Sequence, residues 1–445
     1  MTATNLFRLY TAEEARATIL KRAPVGEVSL TPSLARSIER VFGRVIGPDE
    51  AVRQVLAEVR SDGDVAVINW TEKIDGVRLA KLSVPQADIN AAYLSIEPEL
   101  RQALHFAADR IRQFHKKQPN QSWLDWNESG SALGQMIRPL QRVGVYAPGG
   151  TAPYPSTLLM CAVTARVAGV AEVIVTTPSG RDDTIAPVLL AAAKVAEVDA
   201  VYRIGGAQAV GAMAFGTETL AKVDKIVGPG NIFVTLAKRQ VFGLVDIDGL
   251  PGPTETLVVA DAEANPTLVA ADLLAQAEHD TLSAAILVTP SRSLAQQVQR
   301  EMARQIEPLS RAEIIAESLQ NQGGGVVCAN LSEAIELSNL YAPEHLCLHV
   351  REPWTLIGQV KNAGGIFLGE HAYEVLGDYT AGPTHVMPTM GTARFASPLN
   401  IRDFTKVITV FGLGADEARA IGPAAQTLAE AEGLDAHVAA VRRRR

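Results

Sequence analysis

The fold is decided by short apolar segments that each end in glycine or proline: VGVYAPGG (143–150), EVIVTTPSG (172–180), AVYRIGGAQ (200–208) and KIVGPGN (225–231). They follow one another roughly every 25–30 residues, with helical Ala-, Leu- and Val-rich segments between them, a spacing typical of βαβ units. The sequence therefore predicts a parallel sheet with crossover helices. Ligands of such sheets bind beyond the carboxyl ends of the strands, where these glycine turns lie.

A second series of apolar segments of the same kind follows. Its members are TLVVAD (256–261), AAILVTP (284–290), GGVVCA (324–329), LCLHV (346–350) and GGIFLG (364–369). Helical patterns over about 266–279, 293–309 and 332–340 separate them, so a second parallel α/β sheet is predicted. Upstream, between Thr31 and Gln118, apolar residues recur every three or four positions and predict helices.

Length, composition and charge exclude several classes of protein. The 445 residues leave room for two or three domains, and a chain that is 47% apolar is not disordered. A net charge of −8 argues against nucleic-acid binding, so the basic run Arg442–Arg445 is interpreted as a solvated tail. We expect neither a secretory signal nor a segment that crosses a bilayer. The chain is therefore predicted to be cytoplasmic, with no membrane or nucleic-acid partner.

The cysteines point to a reducing compartment. Cys161, Cys328 and Cys347 are an odd number and form no CxxC pair, which excludes a disulfide framework and a cysteine-rich zinc site. Cys161 lies in an apolar helical segment and is predicted to be buried and inert. The alternative is a thiol enzyme in which Cys161 captures an aldehyde.

Two short motifs carry groups able to bind a cation or move a proton. In LLAQAEHD, Gln276 and His279 stand three positions apart and share a helix face, so they could bind one cation, although such a pair is more often an ordinary surface pair. In YAPEHLCL, Glu344 and His345 can both carry protons near neutral pH. A capped helix start with a salt-bridging glutamate is the simpler interpretation of that motif.

The segment LGDYTAGPTHVMPTMGTARF (376–395) is too rich in Gly, Pro and Thr for regular secondary structure and is predicted to be a binding loop. Asp378 would offer a hard oxygen ligand, and His385 a further polar contact. The glycine turns after the predicted strands lack the GxGxxG spacing, so nucleotide binding and simple strand termination both stay open there. His437, near the C-terminus, carries no signal by itself.

Taken together, these segments resemble the histidinol dehydrogenase family from about Val55 to His437. The resemblance rests on RVGVYAPGGTAPYPSTLLM, GGAQAVGAMAFGT, KIVGPGN, GPTETLVVAD, NPTLVAADLLAQAEHD, YAPEHL, LGDYTAGPTHVMPT and EGLDAH, which occur in this order at family-like spacing. It implies a four-electron, NAD-dependent oxidation of L-histidinol to L-histidine through bound L-histidinaldehyde, the last step of histidine biosynthesis. It also implies one Zn²⁺ per subunit and a homodimer with shared active sites.

The resemblance further implies the residues of the site. The zinc ligands would be Gln276, His279, Asp378 and, from the partner subunit, His437. The catalytic residues would be Glu344, which activates water, and His345, the general base. The NAD contacts would be Tyr146, Gln208 and Asn231. The substrate would contact the zinc ligands, His345, Thr254, His385 and, again from the partner subunit, Glu432.

The implied fold is α/β, with two Rossmann-like parallel-sheet domains whose dinucleotide fold is incomplete, a helical N-terminal segment and a C-terminal dimerisation arm. We expect four regions: an N-terminal arm (1–30), a first α/β domain with most of the metal and catalytic site (31–141 plus 254–400), a second Rossmann-like domain with the NAD contacts (142–253), and a C-terminal arm that reaches the partner subunit (401–445).

A few positions depart from the family pattern. Thr254 stands where the family often has Ser, Thr384 where Asn is frequent, Met387 where Leu is usual, and Cys347 where an acidic residue is common. None of them removes a predicted metal ligand or proton-transfer group. They leave two alternatives: a paralogous zinc- and NAD-dependent dehydrogenase of another polar alcohol, and a non-catalytic relative retained as a binding scaffold.

Overall fold

The computed structural model describes residues 6–22, 32–149, 153–180 and 182–444. Parts of the predicted N-terminal arm, residues 150–152 of the first glycine turn and Arg445 of the basic run lie outside these ranges. The strands are β1 (Leu9–Thr11), β2 (Trp123–Trp126), β3 (Ala132–Pro139), β4 (Arg142–Tyr146), β5 (Glu172–Thr176), β6 (Ala200–Tyr202), β7 (Lys225–Val227), β8 (Asp246–Ile247), β9 (Glu255–Ala260), β10 (Ala284–Thr289), β11 (Gly324–Val327), β12 (His345–His349), β13 (Gly365–Leu368) and β14 (Thr405–Gly412). The α-helices are α1 (Ala12–Ala17), α2 (Pro32–Phe42), α3 (Pro48–Asp75), α4 (Gln86–Ser95), α5 (Pro98–His115), α6 (Pro155–Ala168), α7 (Pro187–Val195), α8 (Gly206–Phe215), α9 (Ile232–Val241), α10 (Pro266–Ala277), α11 (Arg292–Gln305), α12 (Ala312–Gln322), α13 (Leu331–Tyr341), α14 (Glu374–Tyr379), α15 (Ala415–Ala431) and α16 (Asp435–Arg442).

Strands β4 to β8 form a five-stranded parallel sheet in the order β6-β5-β4-β7-β8. Numbered by their appearance in the chain, these strands lie in the order 3-2-1-4-5, which is the dinucleotide-binding order with five strands instead of six. Strand order reverses between β4 and β7, where Val143 pairs with Lys225. The prediction of an incomplete Rossmann-like sheet is confirmed.

The second sheet has six parallel strands in the order β1-β11-β10-β9-β12-β13. Its last five strands repeat the 3-2-1-4-5 order of the first sheet. β1, from the N-terminal segment, extends the edge of the sheet, with Leu9 paired to Gly325 and Thr11 to Val327. Every strand predicted from the two series of apolar segments is present in one of these sheets, whereas β1 is too short to show a pattern of its own.

Helices α3, α4 and α5 pack on the helices of the five-stranded sheet. Val55 of α3 shares a buried core with Met213 of α8, and α5 packs in the same way on α6. The expected grouping of residues 31–141 with residues 254–400 differs from this packing, because the apolar stripes of α3 and α5 are covered by helices from the other sheet. Within the described ranges, no helix is both long and apolar enough to span a membrane.

The C-terminal residues form a smaller antiparallel unit. β14 pairs with β3, and β2 pairs with the other edge of β3. The helical pattern over residues 416–437 is divided into α15 and α16, because Gly433 between them takes a left-handed φ of 72°. Trp126 of β2 is 66% exposed and Phe411 of β14 is 71% exposed, so this unit presents an apolar surface.

Candidate active site

The predicted catalytic residues lie at the amino ends of strands in the six-stranded sheet. Thr254 immediately precedes β9, Glu344 immediately precedes β12, and the two strands are neighbours. His345 is the first residue of β12 and pairs with Thr256 of β9. The carboxyl-end rule used for the glycine turns therefore does not locate this part of the site.

Glu344 is a buried carboxyl group that accepts two hydrogen bonds. It is 5% exposed, and its Oε2 accepts from Thr254 Oγ1 at 2.6 Å and from the backbone N–H of Glu255 at 3.0 Å. Burial raises the pKa of Glu344 to about 7, although the nearby His345 and both hydrogen bonds act in the opposite direction. A group with this pKa can take up and release a proton near neutral pH.

The surroundings of His345 determine which ring nitrogen carries the proton. Its Nδ1 lies 3.2 Å from the backbone oxygen of Glu255, and carboxylate oxygens of Glu344 and Glu374 lie 3.8 and 3.6 Å from the same nitrogen. Because the carbonyl oxygen of Glu255 can only accept a hydrogen bond, Nδ1 is assigned as the protonated nitrogen. Nε2 is buried and has no hydrogen-bond partner among the described residues, so its lone pair is free to accept a proton.

Three of the predicted zinc ligands provide a nitrogen- and oxygen-rich donor set. Gln276 of α10 is 1% exposed, and both polar atoms of its amide are buried without a partner among the described residues. His279, just past the end of α10, is exposed in the single chain, yet the protein atoms around it lower the pKa of its ring, an effect opposed by the carboxylate of Asp378. A buried unpaired amide, an imidazole kept neutral and a carboxylate fit a zinc site without thiolates.

His385 connects this site to the other sheet. Its Nδ1 lies 3.0 Å from the backbone oxygen of Asp378, and its Nε2 lies 2.8 Å from Oγ1 of Thr157. Burial lowers the pKa of His385, and the charge of Asp378 opposes that change. Thr157 is at the start of α6, directly after the loop that follows β4. The carboxyl edge of the five-stranded sheet therefore meets the amino edge of the six-stranded sheet at this contact.

Two predicted site residues are not brought to the site by their own chain. Glu432, just past the end of α15, and His437, on α16, are both exposed. No hydrogen bond or ion pair between described residues joins them to the catalytic groups. Across the described part of one chain, no group of three or more His, Cys, Asp or Glu side chains is placed to hold a metal ion. The exposed His437 of the same chain therefore does not join the other predicted zinc ligands, Gln276, His279 and Asp378.

The three predicted NAD contacts lie together at the carboxyl edge of the five-stranded sheet. Tyr146 ends β4, and its buried hydroxyl accepts from the backbone N–H of Gly206 at 3.2 Å; burial raises the pKa of Tyr146 to about 12. Gln208, on α8, is fully buried, and both amide atoms lack a partner among the described residues. Asn231 accepts from the first N–H groups of α9 and so caps that helix.

The turn after β7 has no room for a side chain. Gly228 takes a φ of 105°, and a Cβ at this position would lie 2.2 Å from the backbone oxygen of Tyr146. The N–H of Gly228 donates to Asp248 Oδ2 at 2.6 Å, and its carbonyl accepts from Lys238 Nζ at 3.1 Å. The buried ion pair between Lys238 and Asp248 thus fixes the turn that leads to Asn231.

Two buried carboxyl groups beside His345 were not singled out from the sequence. Glu255 is 4% exposed at the start of β9, and Glu374, equally buried on α14, accepts from the hydroxyl of Thr256. Burial, together with the charge of Asp378, raises the pKa of Glu374 well above its ordinary value. The available signals were a glutamate at the start of an apolar strand and the four-residue spacing between Glu374 and Asp378, which places both on one helix face.

Comparisons with known proteins point to one family. The family model described as Histidinol dehydrogenase matches residues 45–445. The histidinol dehydrogenase of Deinococcus radiodurans is 50% identical over 433 residues, covering 97% of this chain and 98% of the relative. That of Moorella thermoacetica is 51% identical over 407 residues, covering 90% and 96%. The crystal structure of histidinol dehydrogenase from Elizabethkingia anophelis has a TM-score of 0.90 at 36% identity and covers 99% of this chain and 98% of that one. The chain belongs to the histidinol dehydrogenase family.

Proposed function

We propose that this chain oxidises L-histidinol to L-histidine with two NAD⁺ and one water, giving two NADH and protons, as the last step of histidine biosynthesis. Membership of the family supports the reaction. The observation that carries the assignment of the site is the buried pair at the start of β12: Glu344 has a pKa of about 7, and the Nε2 of the adjacent His345 is free to accept a proton.

His345 acts as the base in the first oxidation. Its Nε2 takes the proton of the substrate hydroxyl while a hydride leaves the carbon that carries this hydroxyl. The contact between Nδ1 and the carbonyl of Glu255 keeps the ring in the tautomer that this step requires. Once both nitrogens carry protons, the ionised carboxylate of Glu344, 3.8 Å from Nδ1, stabilises the imidazolium.

Glu344 acts in the second oxidation. Water must add to the aldehyde carbon before a second hydride can leave, and ionised Glu344 takes the proton of that water. Thr254 and the N–H of Glu255 hold one carboxylate oxygen in place, so the group is oriented before the substrate arrives. His345 then accepts a proton again as the second hydride departs.

The cofactors are assigned to the two edges that meet in the site. When bound, zinc held by Gln276, His279, Asp378 and a second subunit's His437 positions the substrate, and NAD accepts the hydrides. Tyr146, Gln208 and Asn231 are assigned to NAD, and the unpartnered buried amide of Gln208 supports this. Residues 142–253 then act as the NAD-binding domain and residues 254–400 supply most of the metal and catalytic groups.

We also propose a homodimer with shared sites. Glu432 and His437 do not reach the site of their own chain, and the antiparallel unit that precedes them exposes Trp126 and Phe411. A second copy of the chain would cover this apolar surface and supply both polar residues. The three cysteines are free thiols, which supports a location in the cytoplasm.

The test is the number of NADH molecules formed per L-histidinol consumed to completion, measured before chelation, after chelation and after zinc is added back. We expect a ratio near two that is lost on chelation and restored by zinc. A ratio near one would mean that the aldehyde leaves the site, which would contradict the role of Glu344. No NADH from histidinol with folded, zinc-loaded protein would favour a paralogous dehydrogenase of another polar alcohol.

A further inference from the structure

One residue of the six-stranded sheet holds both groups of the proposed proton-transfer pair. The backbone N–H of Glu255 donates to Oε2 of Glu344 at 3.0 Å. The backbone oxygen of Glu255 accepts from Nδ1 of His345 at 3.2 Å. These contacts orient the carboxylate and select the tautomer of the imidazole. A displacement of the Glu255 main chain would therefore misalign both groups at once.

The side chain of Glu255 is fixed by an arginine from the N-terminal segment. A carboxylate that is only 4% exposed needs charged or hydrogen-bonding partners. Arg22 supplies them with both ends of its guanidinium fork, Nη1 to Oε1 and Nη2 to Oε2, the latter at 2.7 Å. The N–H of Met390 donates to Oε1 at 2.9 Å and completes the set.

Arg22 also holds the turn that delivers Glu344. Its Nε donates to the backbone oxygen of Tyr341 at 2.8 Å, its Nη2 donates to that of Ala342 at 3.3 Å, and its guanidinium lies 3.5 Å from the centroid of the Tyr341 ring. Ala342 has a φ of 52°, in the left-handed region that alanine rarely adopts, so this turn needs support from its surroundings. One guanidinium thus connects the start of β9 to the residues just before Glu344.

We infer that Arg22 is a positioning residue for Glu344 and His345, acting through Glu255 and the turn at Ala342. The inference rests on the proposed function, because it names a further residue on which the same reaction depends. Arg22 bonds Glu255, Tyr341 and Ala342, and through them it sets the geometry of Glu344 and His345. The N-terminal segment is therefore a working part of the active site rather than an appendage to it.

Arg166 provides a matched control. It is 23% exposed at its side chain, against 22% for Arg22, and like Arg22 it bonds one carboxylate, Asp199, at 2.6 Å. It also donates to several backbone oxygens, including that of Glu197. Its contacts are confined to the five-stranded sheet. Loss of Arg166 therefore removes a comparable set of bonds without touching the catalytic pair.

The experiment compares Arg22→Gln, Arg22→Lys and Arg166→Gln in kcat, KM for NAD, zinc content and thermal unfolding. We expect Arg22→Gln to lower kcat about 10- to 100-fold, with zinc content and KM for NAD unchanged. Arg22→Lys keeps the positive charge but loses the two-pronged guanidinium. Its kcat should therefore lie between those of the wild type and Arg22→Gln. Arg166→Gln should keep the wild-type kcat although it lowers the unfolding temperature. A wild-type kcat for Arg22→Gln, or an equal fall for Arg166→Gln, would overturn the inference.

A second measurement, by NMR, tests the inference without relying on enzyme activity. The imidazole ¹⁵N shifts of His345, assigned by comparison with His345→Gln, report which nitrogen carries the proton. We expect the Nδ1-protonated tautomer in the wild-type chain and a shift away from it in Arg22→Gln or Arg22→Lys. An unchanged tautomer in both variants would overturn the role of Arg22. Failure of the wild-type chain to oxidise histidinol would instead overturn the proposed function, and the NMR result would stand separately.

Discussion

At the scale of single residues, the proposed chemistry depends on a carboxyl group, that of Glu344, in an environment that disfavours its charge. The ordinary pKa of Glu344 is 4.5, and burial raises it to about 7. Above pH 4.5 the unfolded chain loses this proton while the folded chain keeps it, so folding becomes less favourable as pH rises toward 7. Above pH 7 the buried charge lowers the free energy of unfolding by its full amount, about 3 kcal/mol, which follows from the difference between the two pKa values.

Replacement of Glu344 by glutamine should therefore remove activity and add stability. We expect Glu344→Gln to lower kcat at least about 100-fold, because the general base of the second oxidation is lost. The variant should match the wild type in free energy of unfolding below pH 4.5 and exceed it by about 3 kcal/mol above pH 7. Denaturant unfolding at pH 4.5 and pH 8 measures the difference.

Glu336→Gln is the control for this prediction. Glu336 is an exposed glutamate on α13, so its replacement should leave both kcat and the free energy of unfolding nearly unchanged. A Glu344→Gln variant that is no more stable at pH 8 than the wild type would show that Glu344 is ionised without cost and that its pKa is ordinary.

Cys161 supplies a second residue-scale prediction. Its thiol is completely buried in α6, and burial raises the pKa of Cys161 well above its ordinary value, so it is not a nucleophile. Cys161→Ala should keep the wild-type kcat and lose about 1 kcal/mol of stability through the small cavity it leaves. Steady-state kinetics and thermal unfolding measure both, and a folded but inactive Cys161→Ala would mean that the thiol takes part in the reaction.

At the scale of elements, five strands of each sheet follow the same order, and the two sheets contribute opposite edges to the proposed site. The five-stranded sheet presents its carboxyl edge, with glycine turns and the N-termini of α8 and α9, which suits the phosphates of a dinucleotide. The six-stranded sheet presents its amino edge, where Thr254, Glu255 and Glu344 meet. The contact between Thr157 and His385 joins the two edges.

The turn after β7 is the element whose geometry is easiest to test. In Gly228→Ala the new methyl group would meet the backbone oxygen of Tyr146, so the turn must move and carry Asn231 with it. We expect KM for NAD to rise about 10-fold, with zinc content unchanged, because the proposed metal ligands belong to the other sheet.

Gly243 is the matched control for the turn. It has a similar positive φ, 98°, but nothing lies within 4 Å of its added Cβ. Gly243→Ala should cost about 1 kcal/mol of stability through backbone strain and leave KM for NAD unchanged. Equal effects of both substitutions on KM would mean that backbone strain, and not the approach to Tyr146, controls the turn.

The sequence predicts the secondary-structure elements of the two sheets well, but it does not predict how the helices pack against them. Strands buried on both faces read as continuous apolar segments, which is why β4, β5, β7 and β9 to β12 could be predicted. The edge strand β13 is only partly buried and is predicted from its apolar residues between flanking glycines. The packing partners of α3 to α5 could not be predicted, because an apolar stripe shows that a helix face is buried but does not identify the element that covers it. Arg22 shows the same limit for the site: its partner Tyr341 lies 319 residues away, and no local pattern marks the pair.

At the scale of the whole molecule, the proposed site needs Glu432 and His437 from a second chain. His437 and Glu432 are exposed, and the nearby antiparallel unit presents an apolar surface. The sequence could assign these residues only through family resemblance, because nothing in their local pattern or in the fold of one chain places them near Gln276.

Mixed dimers test whether sites are shared. His437→Ala and His279→Ala chains should each be inactive alone. Unfolded and refolded together in equal amounts, they should recover about a quarter of wild-type activity, because half of the dimers are mixed and each mixed dimer has one intact site. Activity of the refolded mixture, compared with refolded wild type, measures this.

The control mixes His279→Ala with Gln276→Ala. Both lesions then affect the part of the site that one chain supplies, so every site in the mixed dimer is damaged and no activity should return. Recovery in this control, or none in the first mixture, would contradict a site completed by the partner's His437.

The pairing of β1 with β11 and of Arg22 with Tyr341 has a consequence for how the protein is made. The N-terminal segment leaves the ribosome long before the residues it binds, since Tyr341 is translated 319 positions after Arg22. The edge of β11 stays open until this earlier segment docks against it. If Arg22 positions the proton-transfer pair, turnover begins only when this docking is complete. A partly folded chain would then neither consume NAD nor release a reactive aldehyde.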